Sequence, residues 1–141
     1  MPEWTRGEYR VTTDASQFDA DAIHDYLSRE SYWAQGRSRE TVIKSIANSV
    51  CFGVLHGAEQ AGFARVITDK ATFAYLADVF IVPAQQGQGL GKWLMECILS
   101  HPELQGLRRW SLVTQDAHNL YARHGFTPVL HPERWMERFR A

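Results

Sequence analysis

The chain has almost no net charge. Its 15 lysines and arginines stand against 16 aspartates and glutamates, giving −1 over 141 residues with histidine neutral. Nothing in that balance draws it to nucleic acid or to an anionic membrane surface, and neither is expected as a partner. Long hydrophobic runs are missing too: no stretch approaches the ~20 apolar residues of a membrane span. The opening MPEWTRGEYR has no apolar signal core, so a cytoplasmic location is expected. Cysteine is scarce. Cys51 and Cys97 could pair in principle, but with no secretion signal they are expected to be reduced, buried and inert. The six histidines are scattered, with neither an H-x-x-x-H pair nor Cys/His spacing, so no metal is expected. Linkers, repeats and low-complexity segments are absent, which points to one domain spanning 1–141.

What is present centres on Phe73 to Leu99, FAYLADVFIVPAQQGQGLGKWLMECIL. Phe73 to Val82 carries one charge, Asp78, and reads as a strand buried on both faces. Pro83 ends it, since proline cannot donate to a ladder. From Leu90 the spacing changes, and Leu90, Trp93, Leu94, Cys97 and Ile98 fall on one helical stripe. Between strand and helix lies Gln86-Gly87-Gln88-Gly89-Leu90-Gly91-Lys92. Glycines let a backbone turn sharply and approach a ligand. The first amides of a helix have no internal partner and sit at the positive end of its dipole. Such a place binds anions, phosphates above all, and Lys92 adds charge at the rim. A tight turn without a ligand is the plainer alternative. The dinucleotide fingerprint fails because position 92 is lysine; the P-loop fails at Gln86 and Trp93.

Taken in order, Glu8 to Thr13 is predicted as a first strand, and Asp19 caps a helix to about Arg29. A loop, Ser31 to Arg37, follows. A second helix opens at Ser38 or Thr41 and closes at Asn48-Ser49. Val50–His56 and Gln60–Thr68 form an antiparallel meander with the central strand. After the helix from Leu90, which His101-Pro102 stops, Leu107–Thr114 is a strand. Asp116 caps a short helix from Ala117 to His124, and Phe126–Leu130 and Arg134–Phe139 are predicted as two last strands. The order is β-α-α-β-β-β-α-β-α-β-β.

Two motifs then carry a resemblance. Gln86, Gly89 and Gly91 fit [R/Q]-x-x-G-x-[G/A], and Leu120-Tyr121…Gly125-Phe126 is similar to L-Y-x-x-x-G-F, one strand further on. The chain thus resembles the GNAT superfamily of acyl-CoA N-acyltransferases. In YLADVF, GKWLM and DAHNLY it resembles small bacterial members of unassigned substrate. The resemblance implies an α/β fold with a mixed, largely antiparallel sheet splayed at its central strands. It implies acetyl-CoA as co-substrate, no metal, and direct attack in a ternary complex by a primary amine, expected to be that of a small molecule. Dimers are common in the family, so a homodimer is one expected assembly.

By the same resemblance, Gln86, Gly87, Gln88, Gly89, Leu90, Gly91 and Lys92 would hold the pyrophosphate, and Val79, Phe80 and Ile81 would offer main-chain groups to the pantetheine arm. Tyr121 matches the general acid that protonates the departing thiolate; read alone, it is a packed helix tyrosine with a bonded hydroxyl. Asn119 would touch the cofactor or simply face solvent. Asp78 is the candidate for handling the acceptor's proton, with a structural partnership to an arginine such as Arg65, or a relayed water, as alternatives. Tyr32, Trp33, Arg37 and Trp135 are nominated for the acceptor pocket: aromatics to box an amine, Arg37 to pair with a carboxylate, or else ordinary packing and solvated charge. Two other functions stay open: a protein lysine or N-terminal acetyltransferase, favoured by a surface groove, and a non-catalytic acyl-CoA sensor.

Overall fold

A computed structural model describes residues 1–140. A β-hairpin opens the chain, β1 (Glu3–Arg6) and β2 (Tyr9–Thr12). Helix α1 (Ala20–Asp25) continues as one wider π turn, Tyr26–Glu30, and α2 (Arg39–Ala47) follows. Next come β3 (Val50–His56), β4 (Glu59–Thr68), β5 (Phe73–Ile81), α3 (Leu90–Ser100), β6 (Arg109–Leu112) and α4 (His118–Ala122). The six strands form one sheet in chain order. All pairs are antiparallel but the last, β5 with β6, which is parallel across the α3 crossover.

The helices cover the two faces. Leu94, Met95, Cys97 and Ile98 of α3 pack on Phe52, Val54, Val66, Ala74 and Leu76. Ile23, Leu27 and Val42 of α1 and α2 pack on the other face against Cys51, Phe63 and Phe80. The two cysteines therefore lie on opposite sides of the sheet, both buried and free, and cannot meet. The caps fall where side chains can accept from the first amides. Asp19 takes the Ala22 N–H at 3.0 Å and Ser38 the Thr41 N–H at 3.1 Å.

Three expectations are corrected. The first strand is a hairpin turning at Gly7, with Trp4 opposite Val11. Its outer strand is nearly all exposed, so it carries little apolar signal. Helix α4 is capped not by Asp116 but at Ala117, whose N–H is taken by Thr114 Oγ1 at 3.0 Å. Phe126–Leu130 and Arg134–Phe139 are not strands: they run as irregular chain with a single 3₁₀ turn at Pro132–Arg134. Pro128 removes a ladder donor from the first of these segments. Large apolar side chains of these segments stay outside the core: Leu130 is 85% exposed, Met136 96% and Phe139 81%.

Strand β5 changes face midway. Ala74 and Leu76 point to the α3 side, yet Phe80, of the same parity, packs on the α1–α2 side. The cause is a bulge. Arg65 faces Ala77 and Phe63 faces Phe80, so Asp78 and Val79 together oppose Ala64. Asp78 takes φ +54°, the left-handed region, to make room for the extra residue.

Candidate active site

The ladder between β5 and β6 is short. It runs from Phe73 opposite Arg109 to Leu76 opposite Leu112 and stops there, while β5 continues to Ile81. The strands part at the bulge, and a cleft of about 310 Å³ fills the gap. The Val82 N–H bonds Ala61 O on β4 at 2.9 Å. Strand alternation then turns the main-chain groups of Ile81 and Val79 the other way, into the gap. Val79 lines the cleft. The Phe80 side chain does not; it stacks on Tyr26 with ring centres 4.0 Å apart.

Beyond β5 the loop turns on Gly87 (φ +85°) and Gly89 (φ +77°). Gly89 caps α3, and Leu90 is its first, buried, residue. The amides of Gln85 and Gln86 are spent on Val82 O and Pro83 O. Those from Gly87 to Lys92 have no hydrogen-bond acceptor outside the helix among the described residues, and a helix offers none to its first amides. The side chains brace the turn. Gln86 Nε2 donates to Ile81 O at 2.9 Å, and Gln88 Nε2 to Gln85 O at 3.2 Å. Lys92 is exposed beside them. Gly91 needs no special conformation: a Cβ there would meet only Leu120 Cδ2, at 3.9 Å.

Sequence reasoning missed the residue that holds this loop. Arg6, on the opening hairpin, donates from Nη2 to Gln88 O at 2.6 Å and from Nη1 to Gly89 O at 3.3 Å, and lies 5.7 Å over the Trp93 ring. Drawing these carbonyls to one side leaves the amides to the other. Tyr9 adds hydroxyl contacts to Gln85 Oε1 and Gln88 Oε1. Neither residue has a local signal, because the loop lies some eighty positions away.

Asp78 is buried and fully engaged. Trp33 Nε1 donates to Oδ1 at 2.9 Å; Arg37 Nη1 reaches Oδ1 at 3.1 Å and Oδ2 at 2.9 Å; Arg65 Nε reaches Oδ2 at 2.8 Å. The expected partnership with Arg65 is thus present, and Trp33 and Arg37 join it. Tyr32 roofs the cleft from the same loop, its hydroxyl accepting the Gln115 N–H at 2.7 Å across the gap.

Tyr121, on α4, is 9% exposed and lines the cleft from the β6 side. Its hydroxyl makes no hydrogen bond among the described residues, unlike an ordinary packed tyrosine. Burial pushes the phenol up to about 12, with Tyr32 and Asp116 nearby adding to the shift. Asn119 is exposed on the same helix and outside the cleft lining. Trp135 lies outside this cleft. It stands in a separate cleft on the far side of β6, with the Arg109 guanidinium 5.2 Å from its ring, because the tail that carries it does not return to the sheet. Among the described residues no group of His, Cys, Asp and Glu is placed to hold a metal, and no helix is long and apolar enough to cross a membrane.

A parallel pair that parts beside a glycine loop with free amides is the arrangement that the resemblance to the GNAT superfamily implies. The acetyltransferase (GNAT) domain model matches residues 47–128, more than half of the chain. A Gibberella zeae protein, named provisionally as an acetyltransferase, is 35% identical over 86% of this chain and 80% of its own. A GNAT-family structure from Xanthomonas campestris pv. campestris, likewise named provisionally, is 50% identical with a TM-score of 0.92, covering 94% of this chain and 93% of its own. The chain belongs to the GNAT acetyltransferase family and is an acyltransferase. Rv2747 of Mycobacterium tuberculosis, solved with CoA, shares the fold at 20% identity and a TM-score of 0.69, over 84% of this chain and 72% of its own.

Proposed function

We propose that the enzyme transfers an acetyl group from acetyl-CoA to the primary amine of a small molecule, by direct attack with both substrates bound. The observation that carries this reading is the end of the β5–β6 ladder at Leu76 and Leu112, next to a loop whose amides from Gly87 to Lys92 are unspent. A diphosphate suits those amides and the dipole of α3. An amide-bearing pantetheine arm suits the main-chain groups of Val79 and the Ile81 N–H, which would otherwise lack a strand partner, the Ile81 carbonyl being taken by Gln86 Nε2. CoA bound to Rv2747, on the same fold, supports the same ligand class here.

Acetyl-CoA supplies an activated thioester; the chain supplies position and protons. The free hydroxyl of Tyr121 faces the cleft and remains protonated at neutral pH, so it can give its proton to the departing sulfur. That hydroxyl also favours turnover over mere sensing. Asp78 acts by positioning: its contacts leave no oxygen free to take a proton, and the acceptor's proton leaves through water in the cleft. The Tyr32 roof and the 310 Å³ volume suit a small acceptor better than a polypeptide segment.

Calorimetry should show acetyl-CoA binding to the wild-type chain. Tyr121→Phe should lower kcat by about 100-fold while the affinity for acetyl-CoA stays within about twofold. Equal turnover would remove Tyr121 from the chemistry, and no binding would remove the proposal.

A further inference from the structure

Two cations meet one anion in the wall of this cleft. Arg37 and Arg65 both pair with Asp78, and neither has another ion-pair partner among the described residues. The arithmetic of donors is uneven. Arg37 reaches both carboxylate oxygens through Nη1 alone, so its Nε and Nη2 edge, the fork that matches a planar anion, is unclaimed by the described residues. Arg65 spends Nε on Asp78 and leans Nη1 on Ser49 Oγ at 3.4 Å. The Arg37 side chain is 23% exposed and that of Asp78 2%, so a ligand reaches the guanidinium and not the carboxylate. Arg37 is also held at its backbone: its N–H donates to Ala34 O at 3.0 Å and its carbonyl accepts from His24 Nε2 at 3.1 Å. A fixed, half-neutralised guanidinium fork facing a cleft is a site for an anionic group. The charge reverses across the gap, where Asp116 lines the wall beside Tyr121 without an ion pair among the described residues.

We propose that the acceptor is an amine that also carries a carboxylate, gripped by the free edge of Arg37, with its amino end toward Asp116 and Tyr121. This rests on the reading of the cleft as an acceptor site. Complementary charges at the two ends would select such zwitterionic amines and orient them, whereas a plain alkylamine would leave the guanidinium edge unpaired.

The test uses the wild-type enzyme, acetyl-CoA and matched acceptors: free amino acids, their methyl esters, the corresponding decarboxylated amines and an aminoalkyl phosphate, read as kcat/KM for CoA release. The carboxylates should exceed their esters and decarboxylated amines by about tenfold or more. Arg37→Gln should erase that margin by raising KM for the carboxylates, and Arg37→Lys should restore part of it while losing the fork. Equal efficiency for esters and acids, or a preference for the phosphate, overturns the inference and leaves acetyl transfer standing. Failure of acetyl-CoA to bind in calorimetry overturns acetyl transfer, and the acceptor assignment falls with it.

Discussion

The two sides of the sheet handle their backbone differently. From β2 to β4, strands pair with their neighbours along most of their length; β3 and β4 stay paired from Val50 opposite Val66 to His56 opposite Glu59, across one register shift between Val54 and Leu55. On the far side, β5 and β6 share four opposed positions and then separate. Buried amides and carbonyls need partners somewhere. In the first region the protein supplies them itself, and the result is a rigid plate whose residues serve stability. In the second it withholds them, at the bulge and at the glycine loop, and the unspent groups become a binding surface. Function here is an interruption of the pattern that elsewhere holds the fold together.

Substitutions can break that contrast. Phe52→Ala, in the zipped region and fully buried, should cost about 3–5 kcal/mol of stability in denaturant unfolding. Activity per folded molecule should be unchanged; a selective loss of activity would show that the plate and the site are not separable. Gly89→Val should do the opposite. It forces a β-branched residue to φ +77°, with a Cβ 3.7 Å from Arg6 Nη2, and should weaken acetyl-CoA binding by at least about tenfold at a strain cost of about 1–3 kcal/mol that leaves the chain folded. Wild-type affinity would refute the loop's role. Arg6→Ala should raise KM for acetyl-CoA by roughly fivefold and spare kcat, because the carbonyls of Gln88 and Gly89 lose their anchor. A fall in kcat alone would place Arg6 elsewhere in the cycle. The finest probe is hydrogen exchange. Added CoA should slow exchange at the Val79 and Ile81 amides and leave Phe52 and Phe63 as they were; uniform slowing would erase the distinction.

The sequence was legible where its signals are local. The run from Phe73 to Ile81, the glycine loop and the stripe of α3 are contiguous, and the structure places all three where the pattern does. Arg6 was illegible because its partners lie on a remote loop. The bulge at Asp78 was hidden by the opposite problem: an isolated carboxylate in an apolar strand signals burial, but not the extra residue or the positive φ that accommodates it. Its double pairing was half visible, since Arg65 is a cross-strand neighbour while Arg37 and Trp33 arrive from a loop between helices. Trp135 lies apart from the cleft because the Arg134–Phe139 tail that carries it does not join the sheet.

The sulfur atoms of the chain bear on how its chemistry can be watched. Cys51 and Cys97 are sealed on opposite faces, and burial pushes both thiols up to about 12. At neutral pH neither forms the thiolate that attacks a disulfide reagent. Transfer of an acetyl group from acetyl-CoA liberates a reactive thiol into this silent background, so a colorimetric sulfhydryl reagent added to the folded enzyme would count turnovers and nothing else.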